Sequence, residues 1–207
     1  MGDPVSSNVT WHAGALTRDE RARRLGARGA TLWLTGLSGS GKSTLAAAVE
    51  QELVDRGRYA YLLDGDNLRT GLTGDLGFDR ADREENARRV SEVALLFADA
   101  GVVAVVALIS PYAESRRRAR QAHERRGVAF VEVYMAAPST LCSTRDPKGL
   151  YARAAAGEIT SFTGVDDPYE VPAAPDVLIE PGCPLHESVP TVLEALGRAE
   201  ASLGRAR

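Results

Sequence analysis

The chain has 207 residues, of which 44% are hydrophobic and 26% are charged. This balance is typical of a globular protein with a buried core, and it excludes collagen-like, disulfide-rich and largely disordered chains. The formal net charge of −3 argues against a dedicated nucleic-acid binder, which usually presents a strongly basic face.

Short apolar runs alternate with helical periods, which predicts βα units around a parallel sheet in one domain, residues 1–207. Residues 1–30 are expected to be an N-terminal extension. Buried strands are predicted where runs are short, rich in β-branched or aromatic residues and bounded by turn residues, at 31–35, 59–63, 102–109, 130–135 and 177–179.

Helices are predicted between the strands, where apolar residues recur three and four positions apart. They lie at residues 45–57, 90–101, 111–126 and 189–196, with Pro111 in the first turn of the third. Residues 145–175 show neither period, and a long stretch without an element in a compact domain usually forms a lid or binding loop. We therefore expect a three-layer α/β fold with a five-stranded parallel sheet and a lid.

The cysteines and histidines do not predict a metal site. Cys142 and Cys183 have no neighbouring Cys or His at metal-ligand spacing, and His12, His123 and His186 are scattered and expected at the surface or at helix caps. No basic region followed by an apolar run opens the chain, and no 18 consecutive residues are apolar. We expect a cytoplasmic protein that binds no membrane.

A phosphate-binding motif follows the first predicted strand. Glycines allow backbone N–H groups to turn toward phosphate oxygens, and the next helix adds a favourable dipole. Lys42 is predicted to reach the β- and γ-phosphates of a nucleotide, and Ser43 to bind Mg²⁺. A Gly/Ser-rich turn that matches by chance is disfavoured by the flanking strand and helix. The nucleotide-binding residues are Gly36, Leu37, Ser38, Gly39, Ser40, Gly41, Lys42, Ser43 and Thr44.

Two carboxylates, Asp64 and Asp66, follow the second predicted strand. Open α/β sheets bind ligands at the carboxyl ends of their strands. Asp66 is therefore a candidate to orient and deprotonate an acceptor hydroxyl, and Asp64 to bind Mg²⁺ or its waters. The alternative is an Asp-Gly turn with Asn67 capping a helix.

Arg69, Phe78, Arg83 and Asn86 come next and combine an aromatic face with two guanidiniums and an amide. Such a set suits a planar base that carries an anionic tail, because guanidiniums bind anionic oxygens in pairs and rings stack on bases. A core phenylalanine with arginines on solvated helix faces is the alternative.

These residues resemble one family, the adenylyl-sulfate kinases, which use MgATP to phosphorylate the 3′-hydroxyl of adenosine 5′-phosphosulfate. The resemblance covers almost the whole chain. Besides the phosphate motif, it is carried by DGDNLR at 64–69, LGF at 76–78 and ISPY at 109–112, and most specifically by RDPKGLY at 145–151 and FTGVDDPYE at 162–170.

The resemblance implies a role for each matching residue. Asp66 would be the base for the 3′-hydroxyl, with Lys42 and Lys148 offsetting phosphoryl charge. Ser110 matches a serine described as a phosphoserine intermediate, although in-line transfer needs no covalent step, and we expect it to hydrogen-bond the substrate. The implied substrate-binding set is Asp64, Asp66, Arg69, Phe78, Arg83, Asn86, Ile109, Ser110, Lys148, Leu150 and Phe162.

Within this set the resemblance implies that Phe78 and Phe162 enclose the adenine. It further implies ATP and Mg²⁺ as cosubstrate and cofactor, a homodimer, and a sulfurylase as a partner. The chain departs from the family at Ala113, where members commonly have Arg, and at 138–145, where they commonly have acidic residues. Arg116, one turn later, is the candidate to replace the charge lost at Ala113.

Two other functions remain open on the sequence. One is a P-loop kinase for another small metabolite; the other is an inactive sensor of ATP or adenylyl sulfate that regulates a sulfurylase or sulfotransferase. An inactive or redirected protein would be expected to lose part of the acceptor set, which is intact here.

Overall fold

The computed structural model describes residues 8–10 and 12–205, so the rest of the predicted extension and the last two residues lie outside it. Five parallel strands form one sheet in the order β2-β3-β1-β4-β5. The strands are β1 Ala30–Thr35, β2 Ala60–Asp64, β3 Val103–Ala107, β4 Ala129–Met135 and β5 Val177–Ile179. All five predicted strands are confirmed to within two residues at either end, and so is the α/β fold class.

The helices described by the structure are α1 Arg18–Leu25, α2 Lys42–Asp55, α3 Gly65–Leu68, α4 Arg80–Ala100, α5 Ala113–Arg125, α6 Ser139–Arg145, α7 Leu150–Ala155 and α8 Leu185–Arg205. Four of them, α1, α3, α6 and α7, were not predicted. They are short or polar and lack an apolar stripe, and α1 is instead signalled by a capping box between Thr17 and Glu20. None of the helices described is long and apolar enough to cross a bilayer.

The placement of Pro111 in the first turn of α5 was wrong, since that helix begins at Ala113 with Tyr112 as its N-cap. The carbonyl oxygen of Pro111 accepts the N–H of Glu170 at 2.9 Å, and Ser110 before it has a φ of 40°. The chain therefore turns toward residue 170 before it enters the helix.

Apolar layers cover both faces of the sheet. On one face Leu32 and Leu34 of β1 pack in a cluster with Val49 of α2 and Val192 of α8. On the other, Trp33 packs in a cluster with residues of α4 and α5. Successive side chains of a strand point to opposite faces, so a central strand between two helix layers is apolar throughout.

His123 is fully buried, so the expectation that it lies at the surface or at a cap was wrong. Its Nδ1 lies 2.8 Å from the Ala119 carbonyl oxygen, which can only accept, so Nδ1 donates. Its Nε2 then accepts from the Thr31 hydroxyl at 2.9 Å. Burial lowers the pKa of His123 to about 4, and the ring is neutral at pH 7.

The buried neutral ring predicts a loss of stability in mild acid. The unfolded chain binds this proton near pH 6.5 and the folded chain near 4, so stability falls as pH drops through that window. The free energy of unfolding should be about 2 kcal/mol lower at pH 5 than at pH 7.5 because of this group. Urea titrations at both pH values check this with His123→Gln, which should lose that part of the pH dependence, while His186→Gln, at an exposed histidine, should keep it. An equal pH dependence in both variants would contradict the assignment.

Candidate active site

The phosphate-binding motif forms the turn between β1 and α2. Gly39 and Gly41 have positive φ angles of 76° and 98°, which glycine adopts without strain. A Cβ on Gly39 would lie 3.1 Å from the carbonyl oxygen of Cys142. The glycine spacing in the motif therefore follows from the turn and from the close approach of α6.

Lys42 is the first residue of α2, and its side chain lies buried against its own loop. The ammonium donates to the carbonyl oxygens of Gly36 at 2.9 Å and Leu37 at 2.8 Å. Burial lowers the pKa of Lys42 to about 8, so the group is still mostly protonated at neutral pH. An anion in this turn would compete with the two carbonyls for the ammonium.

Two oxygen ligands meet at the end of the motif. The Ser43 hydroxyl donates to Oδ2 of Asp64 at 2.6 Å, and Oδ1 of Asp64 accepts the N–H of Asp66 at 3.0 Å. Asp64, and not Asn67, is the residue that caps a helix here, α3. A hydroxyl and a carboxylate fit Mg²⁺, which binds few protein oxygens and takes its remaining ligands from phosphates and water.

A cavity of about 780 Å³ extends from this motif along the carboxyl ends of the strands. Every predicted substrate-binding residue lines it. The predicted nucleotide-binding residues divide: Gly36, Leu37 and Ser40 lie in the turn without lining the cavity, whereas six line it, namely Ser38, Gly39, Gly41, Lys42, Ser43 and Thr44. The volume suits a ligand of substantial size.

An aromatic ring and a guanidinium meet on one wall. Arg69 donates to the Leu76 carbonyl oxygen at 2.8 Å, and its guanidinium lies 4.2 Å from the centroid of the Phe78 ring. The Phe78 side chain is exposed, although it is a large apolar group. An exposed ring with a cation on its face is suited to stacking on a planar ligand that carries negative charge.

Arg83 is held at the cavity by two backbone carbonyl oxygens and lies near one carboxylate. Its Nε donates to the Phe78 carbonyl oxygen and its Nη2 to that of Ser161, both at 2.7 Å, and Nε lies 3.9 Å from the Asp167 carboxylate. Asn86, one turn along α4, is buried, and its Oδ1 has no hydrogen-bond partner within the described residues. A buried amide oxygen without a partner is suited to a ligand that supplies one.

Ser110 is buried at the cavity floor, and its hydroxyl is occupied on both sides. It accepts from the indole N–H of Trp33 at 3.1 Å and donates to the Thr35 hydroxyl at 3.0 Å. The Thr35 proton goes to the Ile109 carbonyl oxygen at 2.7 Å, so the Tyr169 hydroxyl, 2.9 Å away, donates to Thr35. Ser110 is therefore part of a hydrogen-bonded chain that reaches the sheet.

The predicted lid at 145–175 is not without structure, since α6 ends in it and α7 lies within it. Lys148, before α7, forms an ion pair with Asp66, and both side chains are exposed. Phe162 is buried with its ring edge-on to Tyr151, centroids 4.9 Å apart. Near Phe162, Asp167 accepts the Tyr112 hydroxyl at 3.0 Å, which joins this part of the segment to α5.

The structure adds residues that the sequence did not single out. Arg145, Pro147, Arg153, Ile159, Thr160 and Ser161 also line the cavity. Arg145 and Pro147 belong to RDPKGLY, and Ile159, Thr160 and Ser161 directly precede FTGVDDPYE, so these motifs were the available signal; Arg153 lies in neither position. Arg116, the candidate to replace the charge at Ala113, is instead buried away from the cavity.

The adenylylsulphate kinase family model matches residues 28–180. The chain belongs to that family. The adenylyl-sulfate kinase of Geotalea daltonii is 52% identical over 176 residues, covering 85% of this chain and 86% of the relative. That of Penicillium chrysogenum is 50% identical over 200 residues, covering 93% and 95%.

A solved structure of a family member resembles this fold. It is the Mycobacterium tuberculosis APS kinase CysC in complex with AMPPNP and APS, with a TM-score of 0.80 and 53% identity, covering 83% of this chain and 99% of that one. Membership in the adenylylsulphate kinase family confirms the resemblance inferred from the motifs at 64–69, 145–151 and 162–170.

The hydrogen bonds of the Ser110 hydroxyl predict that this family member becomes less stable when the hydroxyl is removed. Ser110→Ala leaves the buried Trp33 N–H without an acceptor, so the free energy of unfolding should fall by about 1–3 kcal/mol. Urea unfolding followed by tryptophan fluorescence and by circular dichroism measures this decrease. Ser143→Ala is the control, because Ser143 is exposed and its hydroxyl bonds to the Thr140 carbonyl oxygen within α6. Equal free energies of unfolding for the two variants would contradict a stabilising role for the Ser110 hydrogen bonds.

Proposed function

We propose that this chain transfers the γ-phosphoryl group of ATP to the 3′-hydroxyl of adenylyl sulfate. The observation that carries the proposal is the cavity that joins the phosphate-binding turn, with Lys42, to the acceptor set around Asp66. A phosphoryl donor and an anionic, aromatic acceptor would thus face one another in one space, as in-line transfer requires.

The donor half is formed by the turn and by α2. Backbone N–H groups of the turn bind the phosphates, and Lys42 leaves the carbonyls of Gly36 and Leu37 to approach the β- and γ-phosphates. Ser43 and Asp64 would hold Mg²⁺, which when bound offsets charge on the phosphate oxygens. These residues also position the γ-phosphorus relative to Asp66.

The acceptor half binds adenylyl sulfate by both of its chemical features. Arg69 and Arg83 lie close to the Phe78 ring, 4.2 and 5.7 Å from guanidinium carbon to centroid, so the phosphosulfate charge and the adenine are bound side by side. Phe162 forms the other apolar surface, and the buried Asn86 amide accepts a hydrogen bond from the acceptor.

In the transfer step Asp66 acts as the base for the 3′-hydroxyl. Asp66 orients this hydroxyl in line with the γ-phosphorus and accepts its proton, a new bond forms between the 3′-oxygen and phosphorus, and the bond to the β,γ-bridging oxygen breaks to release ADP. Lys148 leaves its ion pair with Asp66 and stabilises charge on the transferred group. Ser110 supports the floor by hydrogen bonds and forms no covalent intermediate.

Residues 145–175 are proposed to act as the lid that excludes water during transfer. Arg83 and Tyr112 hold residues 161 and 167 on α4 and α5. Tyr151 of α7 is also held, by its hydrogen bond to the Ser38 carbonyl oxygen at 3.2 Å. The proposed movement is therefore centred on the exposed residues around Lys148.

Further proposals concern assembly and location. A homodimer is supported by exposed apolar side chains beside the sheet edge, Tyr59, Tyr61 and Leu96, with Tyr61 stacked on Phe97 at 5.2 Å. A sulfurylase is the partner whose chemistry would supply adenylyl sulfate. The free thiols of Cys142 and Cys183 are consistent with a reducing cytoplasm.

ADP release over a panel of acceptors tests the reaction. With ATP present, adenylyl sulfate should be turned over in strong preference to AMP, shikimate and gluconate, and product analysis should place the new phosphate on the 3′-oxygen. Activity with shikimate or AMP but not with adenylyl sulfate would favour another metabolite kinase. ATP binding with no turnover of any acceptor would favour the inactive sensor.

Asp66→Asn tests the base. Turnover should fall about 10²–10⁴-fold with the fold intact, because the exposed side chain loses its proton-accepting role. Steady-state kinetics and circular dichroism measure this, with Asp55→Asn at an exposed position outside the cavity as control. Near-normal turnover of Asp66→Asn would remove Asp66 from the role of base.

Lys148→Arg tests the shape of the lid cation. A compact ammonium approaches a phosphoryl oxygen as a point charge, whereas a planar guanidinium requires a different geometry, so kcat should fall about tenfold. Arg88→Lys, at an exposed arginine on α4, is the control. Unchanged kinetics in Lys148→Arg would mean that the charge alone, and not its shape, matters.

A further inference from the structure

Arg116 on α5 is a buried cation that the reaction described above does not use. Its side chain is 3% exposed. The neighbouring Arg117 and Arg118 differ from it, because they are exposed and pair with Glu114 at the surface. Removing a charged group from water costs free energy, so buried charges are found where hydrogen-bond and ion-pair partners surround them.

Each nitrogen of the Arg116 guanidinium has a different partner. Nε donates to Glu132 of β4 at 2.8 Å, Nη1 to the Ser110 carbonyl oxygen at 2.6 Å, and Nη2 to the Glu170 carbonyl oxygen at 2.6 Å. The three acceptors lie on a strand, on the loop at the cavity floor and at the end of the predicted lid segment. A planar fork matches this arrangement, and an ammonium at the end of a lysine does not.

The sheet brings these partners together. Trp33 of β1 and Glu132 of β4 are paired in register, so both side chains point to the α4 and α5 face. Trp33 binds the Ser110 side chain and Glu132 holds the Arg116 that binds the Ser110 carbonyl. Ser110 is thus held from both ends in the left-handed region, φ 40°, which costs energy for a residue with a Cβ.

The same loop is joined to residue 170 at two further points. The Glu170 N–H donates to the Pro111 carbonyl oxygen at 2.9 Å, and the Ala113 N–H donates to the Glu170 carboxylate at 2.7 Å. We call this contact between residues 110–113 and Glu170, with Arg116 across it, the floor clamp. On one side of the clamp, Ser110 and Pro111 line the cavity. On the other side, Glu170 follows the cavity-lining residues Ser161 and Phe162 in the sequence.

We propose that Arg116 is a positioning residue that, through the floor clamp, sets the distance between the cavity floor and the Phe162 wall and so determines affinity for the acceptor. The inference rests on the proposed function for the identity of the acceptor. No hydrogen bond among the described residues joins the phosphate-binding turn, residues 36–44, to the clamp; Ser110 bonds instead to Thr35 of β1. We therefore expect the effect of Arg116 on the acceptor side.

Arg116→Lys keeps the charge beside Glu132 and loses the fork. The KM for adenylyl sulfate should rise about tenfold while the KM for ATP stays within about twofold. Loss of stability alone would lower the active fraction, and hence kcat, with both KM values unchanged. Arg117→Lys, the same substitution on the exposed side of the same helix, should match the unsubstituted protein.

Hydrogen–deuterium exchange gives a readout that does not depend on activity. In Arg116→Lys, exchange should accelerate about tenfold at the amides of Ala113 and Glu170 and stay unchanged in β1 and α2. Uniform acceleration over the whole fold, or none at these two amides, would overturn the proposal.

Glu170→Ala covers the case in which Arg116→Lys does not fold. Glu170 is partly exposed, and the substitution removes only the acceptor of the Ala113 amide. The KM for adenylyl sulfate should rise about threefold, with the KM for ATP unchanged. Unchanged acceptor KM values in an active protein overturn the role of the clamp, whereas absence of adenylyl sulfate turnover in the unsubstituted protein overturns the proposed function itself.

Discussion

Because all five strands are parallel, their carboxyl ends lie along one edge of the sheet, and the rest of the structure depends on that constraint. β1 leads into the phosphate-binding turn, β2 into Asp64 and Asp66, and β3 into the loop with Ser110. Residues that are distant in sequence therefore line one cavity. Because helices cover both faces of the sheet, the strands are apolar, and the polar side chains meet at the edge formed by the carboxyl ends of the strands.

The cationic side chains at and beside the cavity differ in burial and in their partners. Lys42 is buried against the carbonyl oxygens of its own loop, and burial lowers its pKa to about 8, so at neutral pH it is still mostly a cation that a phosphate can attract. Lys148 is exposed and pairs with Asp66 across the cavity. Lys42 and Lys148 thus both line the cavity, one in the phosphate-binding turn and the other in the predicted lid, whereas Arg116 is buried among protein partners. Lysine suits the first two positions because its charge is compact.

Prediction from sequence succeeded where the signal is local. The phosphate-binding motif has a required strand before it and a helix after it, and the apolar runs that became strands are short and bounded. It failed where a neighbour distant in sequence decides the outcome. His123 was expected outside the core, yet inside it the Thr31 hydroxyl donates a hydrogen bond to its ring. Pro111 was placed in a helix, yet its carbonyl oxygen accepts the N–H of Glu170 in a turn before the helix. The helices α1, α3, α6 and α7 lack an apolar stripe and were missed for that reason.

By itself the sequence determined the fold class, the five strands, the family and many, though not all, of the residues that line the cavity. The reason is that motif spacing and apolar periodicity are encoded in consecutive residues. Only the tertiary structure decided the strand order, the full burial of Arg116 and the hydrogen-bonded chain from Trp33 through Ser110 and Thr35 to Tyr169. These depend on the pairing of strands and the packing of helices, which bring together side chains such as those of Thr35 and Tyr169, 134 positions apart, and leave no pattern along the chain.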